Sequence, residues 1–358
     1  MPRPSPLRVA HYYGDRPPRP LTETNPYGPL LADALERQGI EVTFEVRHDE
    51  AFLRENAGAI DVLHFHWPHY EYADPDRDTA ERQMRDFVER LTLARELGYR
   101  VVWTAHNVYP HDRSNREIDH TFRIELCRIA SAVIAHCEAS ADAVRQAFGR
   151  TDRLFVIPHG HFIGTHPPEL SRMDARDSYG IPTDAYVYGF FGNIQPYKGV
   201  EALLDAFVML PGDPWLVITG GGWPDHIAAI GELIAARDHH RVVYRPFEPF
   251  APGIEIIRAL AAADSCPVPF RATTTSGTVV LALSWARPVV APALGCLPMT
   301  VLPGAGVLYD PDEPDALFRA LQAVRTLDPV ASAEVALASV ARFDWDEIAA
   351  ATIEAYRA

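Results

Sequence analysis

The chain has 358 residues, more than one hydrophobic core organises, and its 47% hydrophobic fraction and mean hydropathy of -0.10 suit a globular protein and exclude a disordered one. Forty-eight carboxylates against 33 basic residues leave a net charge of -15, which excludes nucleic-acid binding driven by bulk electrostatics. Four scattered cysteines without metal spacing, no apolar leader after Met1 and no run approaching ~18 apolar residues set the expectation of a cytoplasmic protein, with at most weak peripheral contact with the inner face of a membrane.

Short apolar runs alternate with segments of helical period, which predicts an α/β fold of parallel sheets covered by helices. In the first half, strands are expected at 7–12, 41–46, 61–66, 100–105, 132–136 and 154–158. Between the third and fourth of these, Met84, Phe87, Val88, Leu91 and Ala94 recur at the spacing of a core-facing helix. The stretch 77–128 holds ten arginines, but nine carboxylates lie within it, so it reads as a salt-bridged, solvated surface. A proline-rich, weakly periodic stretch over 160–174 reads as a linker. The alternation then restarts, with strands at 186–191, 215–219, 241–244, 265–269 and 288–291. The expected organisation is two doubly wound, Rossmann-like domains, 1–165 and 166–340, facing a cleft, followed by a helical segment 341–358.

In an open parallel sheet, ligands bind beyond the carboxyl ends of the strands. Four strands of the first half end in histidine, at His66, His106, His136 and His159, which moves them from isolated structural residues toward a site. The run from His64 to His69 also invites a metal reading. One buried strand face can hold His64 and His66 without an ion, and no metal is assigned.

The second half is more specific. After its first strand the chain turns through Gly192, Asn193 and Pro196 and enters a helix at Lys198. The helix dipole disfavours a cation at that end, so a lysine there implies an anion between them, unless it points into water. Lys198 is also the single lysine among 33 basic residues, in a chain that used arginine at every other position. A second loop, Arg271 to Thr278, carries Thr275, Ser276, Gly277 and Thr278 directly before an apolar helix. Such hydroxyls cap a helix, or leave its N–H groups free for phosphate, and Arg271 adds a planar cation. Phe247, at the end of a strand, is either a stacking surface for a base or a core aromatic.

The segments 192–199, 220–222, 262–264 and 286–291, together with Thr104-Ala105-His106-Asn107 and the exit through Val156 to Gly160, resemble the GT-B glycosyltransferases, and most closely those of family four. The resemblance spans nearly the whole chain. It implies a hexosyltransferase of polysaccharide or glycoconjugate biosynthesis. The donor would be a nucleotide-diphosphate sugar held by the second domain, the acceptor a glycan, a lipid-linked glycan or a natural product held by the first, and no further cofactor is implied. The final helix would pack back on the first domain.

By the same resemblance Lys198 contacts the donor diphosphate and His106 lies beside the acceptor and the transferred sugar. The family arginine is replaced by Asn193, and Thr273 and Leu281 stand where two glutamates are common, so the donor is gripped through N–H groups and hydroxyls. His106 is the first candidate for a base or positioning group and Asp112 the second. A nucleotide-sugar epimerase, a glycan phosphorylase and a non-catalytic nucleotide-sugar-binding protein are the alternatives on the same architecture.

Overall fold

The computed structural model describes residues 6–13, 26–110, 115–165, 170–237 and 240–358. Two compact units emerge. One is built by Tyr27–Gly160 with the first strand and Phe343–Ala358, the other by His161–Arg342.

The first unit runs β1 (Arg8–Tyr12), α1 (Tyr27–Arg37), β2 (Glu41–Phe44), α2 (Glu50–Glu55), β3 (Val62–Phe65), α3 (Arg77–Glu96), β4 (Arg100–Ala105), α4 (Arg116–Ile129), β5 (Ala132–Ala135), α5 (Glu138–Phe148) and β6 (Leu154–Val156). Its sheet is wholly parallel, in the order β2-β1-β3-β4-β5-β6. Helices cover both faces of such a sheet, so β3 and β5 are buried at every residue and read as unbroken apolar runs apart from His64. α3 starts where Asp76 accepts from the Thr79 amide and buries Met84, Phe87, Leu91 and Ala94, the stripe expected from sequence. Phe87 stacks on Phe122 of α4 at 5.3 Å. Strand order reverses between β1 and β3, which places the ligand crevice of this fold class above those two strands.

The second unit runs α6 (Arg172–Ser178), β7 (Val187–Phe191), α7 (Val200–Val208), β8 (Trp215–Gly221), α8 (Pro224–Ala236), β9 (Val242–Phe247), α9 (Gly253–Ala262), β10 (Cys266–Pro267), α10 (Gly277–Ser284), β11 (Val289–Pro292), α11 (Leu297–Thr300), β12 (Gly306–Tyr309), α12 (Ala316–Val324) and α13 (Pro329–Ala341). Two three-stranded ladders, β7-β8-β9 and β10-β11-β12, are joined by a parallel bridge between Tyr188 and Ser265, giving the order β9-β8-β7-β10-β11-β12. This is the dinucleotide-binding arrangement, whose switch point lies between β7 and β10.

Two elements differ from expectation. The stretch read as a linker already contains the start of α6, whose N-cap Ser171 accepts from the Asp174 amide at 3.1 Å. The helix is tied down by Arg176, 1% exposed, which donates to Asp264 at 2.7 Å and to the carbonyls of Ala262, Thr183 and Ala185. β12 is the second: a half-buried edge strand beginning at glycine, absent from the expected strands although Val307, Leu308 and Tyr309 form a short apolar run.

The last helix, α14 (Trp345–Arg357), belongs to the first unit. There Arg37 and Gln38 at the end of α1 donate to the Asp346 carboxylate and carbonyl at 2.9 and 2.6 Å, and Tyr356 is buried completely against β1 and β3.

Candidate active site

In the second unit the loops after β7 and β10 meet at the switch point. The Arg271 amide donates to the Tyr197 carbonyl at 2.8 Å. Gly199, at φ 70°, passes so close to the other loop that an added Cβ would lie 2.1 Å from the Pro269 carbonyl oxygen. Any side chain there forces the loops apart, and the left-handed backbone adds its own cost. Gly192, at φ 110°, is likewise restricted, and a Cβ on it would sit 3.5 Å from Thr278 Oγ1.

Lys198 closes a 3-10 turn directly before α7. Its ammonium lies 3.9 Å from the centre of the Phe270 ring and 5.1 Å from that of Tyr197, with no carboxylate partner among the described residues. Burial pulls its pKa down to about 7. α7 begins at Gly199 without a side-chain cap, so its first N–H groups are unclaimed beside this cation. An anion is what both features lack.

The remaining predicted donor residues divide. Ser276 is the N-cap of α10 and accepts from the Val279 amide at 3.2 Å, so its hydroxyl is occupied in capping. Gly277 and Thr278 form the first turn of α10, and Thr275 precedes the cap. Arg271 is 61% exposed and leans toward Glu201 at 3.9 Å. Asn193 is exposed. Leu281, at one of the two positions where the family commonly has glutamate, is buried on the core face of α10, while Thr273 donates to the Thr275 carbonyl at 2.9 Å.

In the first unit, His106 follows β4 and stacks on Trp67 at 4.5 Å, with Tyr27 of α1 edge-on at 4.9 Å. Both of its nitrogens are engaged: Nδ1 with His136 Nε2 and Nε2 with His66 Nδ1, each at 3.0 Å. The far end of this row is the Ile157 carbonyl, 2.9 Å from His136 Nδ1. A carbonyl only accepts, so His136 donates to it from Nδ1, His106 donates from Nδ1 to His136, and His66 donates from Nδ1 to His106. One tautomer is thereby set along the whole row, and His66 Nε2 is left as a buried lone pair without a hydrogen-bond partner. Burial holds all three rings neutral, His136 at about 4 and the others well below the usual histidine range.

His11, His64 and His66 each bring a ring nitrogen within 4.8 Å of the others. Two of these rings close on a tyrosine: His11 Nε2 and His64 Nδ1 meet the Tyr356 hydroxyl at 3.0 and 2.8 Å, and His64 Nε2 meets Thr104 Oγ1 at 2.7 Å. Asp112 lies outside the described residues. Sequence reasoning picked out the strand-end histidines but missed Trp67 and Tyr27, which hold the His106 ring between them and carry no spacing signal.

Residues 185–326 match the family model described as glycosyl transferases group 1, and residues 30–161 that of glycosyltransferase family 4. The chain is 30% identical over 344 residues to a GDP-mannose:glycolipid 4-beta-D-mannosyltransferase of Xanthomonas campestris pv. campestris, covering 92% of this chain and 87% of that protein. The chain belongs to the family 4 glycosyltransferases. This glycosyltransferase is also 34% identical over 247 residues to a D-inositol 3-phosphate glycosyltransferase of Xylanimonas cellulosilytica, of which it spans 58%. Its fold is that of sucrose-phosphate synthase from Thermosynechococcus elongatus, at TM-score 0.71 and 18% identity over 98% of both chains. Anabaena HepE, solved with UDP and glucose, gives TM-score 0.70 and 20% identity over 97% of this chain and 98% of that one. The glycosyltransferase therefore has the two Rossmann-like domains of the GT-B class. Among its described residues no helix is long and apolar enough to cross a membrane.

Proposed function

We propose that this glycosyltransferase moves a hexosyl group from a nucleoside-diphosphate sugar to a glycan, lipid-linked glycan or small natural-product acceptor, with no resident metal, on the cytoplasmic side of a membrane that it touches at most peripherally. The observation that carries the reading is the unpaired Lys198 ammonium beside the uncapped start of α7. As the C–O bond to the anomeric carbon breaks, negative charge collects on the departing diphosphate and the sugar becomes oxocarbenium-like. Lys198, the first N–H groups of α7 and those of Gly277 and Thr278 face that charge from the two loops of the switch point. Arg271, exposed at the surface, joins them on donor binding, and Gly192, Asn193 and Thr275 line the approach.

His106 is a positioning group in this scheme, because both of its nitrogens are already committed. Asp112 is the side chain to test as base. A mannosyl donor and a glycolipid acceptor head the panel, since the Xanthomonas relative carries both in its name.

The test is a thermal-shift panel of GDP-mannose, UDP-glucose and ADP-glucose, followed by product analysis with and without EDTA. A donor present at 100 times its Kd should stabilise the fold by about 2.7 kcal/mol. That gain should vanish in Lys198→Ala. Equal stabilisation of that variant overturns the donor assignment, and turnover abolished by EDTA and restored by a divalent ion overturns metal independence.

A further inference from the structure

At the amino edge of the first unit's sheet, opposite the edge that carries His106, lies a concavity of ≈ 350 Å³ whose walls include four arginines: Arg95 near the end of α3, Arg128 near the end of α4, and Arg150 and Arg153 just before β6. Thr92, Ser131 and Asp152 complete its polar lining. In a chain of net charge -15, such a concentration of guanidinium groups needs a reason.

Capping of helix ends is the first reason to weigh. Arg150 donates to the carbonyls of Cys127 and Ser131 at 2.7 and 3.1 Å, and Arg95 to that of Tyr99 at 2.8 Å. Three helices, α3, α4 and α5, end here, and each contributes about half a negative charge. Together with Asp152, and with Glu125 paired to Arg128, they offset most but not all of the four guanidinium charges, leaving the concavity positive by about half a charge.

Ion pairing does not absorb the remainder. Elsewhere in 77–128 some arginines are paired, Arg77 with Glu117, Arg85 with Glu81 and Arg123 with Asp119, while Arg82, Arg100 and Arg116 have no carboxylate at ion-pair distance among the described residues. In the concavity Arg128 pairs with Glu125, and Asp152, 77% exposed, stands 3.8 Å from Arg150. Arg95 and Arg153 have no carboxylate partner among the described residues. Partial desolvation of its head group, then the charges of Arg153 and the adjacent Arg100, lower the Arg95 guanidinium from its ordinary value. Arg150 is 8% exposed, and its Nε is buried with no hydrogen-bond partner. Arg153 holds φ 45°, a left-handed conformation that a non-glycine residue adopts at a cost.

We infer that this concavity is a second binding site of the protein, for a phosphate-bearing anion of diphosphate or sugar-phosphate size. Planar guanidinium forks match phosphate oxygens two at a time, and the volume admits more than a single phosphate group. The inference is independent of the donor site, which lies in the other unit.

The experiment uses the full chain carrying Lys198→Ala, so that the donor loops do not compete, titrated with inorganic pyrophosphate by calorimetry and thermal shift. Saturable binding is expected, weakened at least about tenfold when Arg95→Gln and Arg153→Gln are added. Both side chains are exposed, so their loss leaves the core intact. Asp152→Asn, which removes the one carboxylate of the lining, should tighten binding roughly two- to fivefold. Sedimentation with phosphatidylglycerol vesicles, compared with phosphatidylcholine vesicles, separates the sources: binding to the first that the same two substitutions abolish assigns the phosphate to a lipid headgroup. Absence of any response to pyrophosphate and to the anionic vesicles, or affinities unchanged by the arginine substitutions, overturns the site.

Discussion

The Lys198 ammonium rests 3.9 Å above the Phe270 ring, and these two residues come from the loops on either side of the second unit's switch point. A cation held on an aromatic face retains part of its charge stabilisation, yet without a counter-anion burial lowers its pKa to about 7. A bound diphosphate would reverse that shift.

Replacing Lys198 tests its role in the transition state. Lys198→Ala should reduce kcat/KM by roughly 10²- to 10³-fold, the size of one lost donor to a developing oxyanion. Its melting temperature should be unchanged or raised, because a half-buried amine without a carboxylate partner is removed. Lys198→Arg should recover little, since a planar fork on a longer stem does not place its charge where the compact ammonium does. Steady-state kinetics beside a thermal melt give both answers.

Donor affinity should depend on pH with a definite sign. In the free protein the lysine loses its proton as pH rises through about 7, while the donor-bound form keeps it. Above that value each further pH unit should weaken donor binding by up to about tenfold until the bound-state pKa is passed. Calorimetric titrations between pH 6 and 9 would reveal the slope, and Lys198→Ala should show none.

The buried histidines make stability sensitive to acid. His11 and His159 are held at about 3 and His136 at about 4, all below the ordinary histidine value of about 6.5. The unfolded chain therefore binds more protons in that interval, so the stability these groups contribute is present above about pH 6.5 and lost as pH falls toward 3. Two such groups alone cost roughly 2.7 kcal/mol per pH unit within the window. Urea melts at pH 7.5, 6 and 5 should show the midpoint falling steeply below 6.5, and a flat profile would contradict the neutral row.

His106 links His66 to His136, so the choice of replacement should matter. His106→Phe strands a donor on one side and an acceptor on the other, costing about 2–5 kcal/mol. His106→Gln keeps one donor and one acceptor and should cost much less. If both variants lose equal stability, ring packing against Trp67 and Tyr27 outweighs the hydrogen bonds.

Much of this architecture is legible before any coordinates. Strands buried on both faces announce themselves as apolar runs, as at Val62–Phe65 and Ala132–Ala135. Edge strand β12 is harder to see, because its run of Val307, Leu308 and Tyr309 is short and opens between glycine and proline turn residues. Lys198 stands out through composition, a signal that owes nothing to local pattern. The row of His66, His106 and His136 is different: each residue marks a strand end, but their partnership depends on the register of β3, β4 and β5, set by side chains 30 and 40 positions apart. Ser276 shows the opposite limit, since a capping hydroxyl and a phosphate-binding hydroxyl have the same sequence and differ only in whether the Val279 amide has already taken it.

The solitary lysine has a practical side. An amine that is largely neutral near pH 7.5 reacts with acylating reagents, whereas an ordinary lysine stays protected as its ammonium. Within these 358 residues no other side-chain amine competes, leaving only the terminal α-amino group. A fluorophore or crosslinker aimed at amines would thus land on the loop before α7, and protection from it by a sugar nucleotide would report occupancy without any engineered tag.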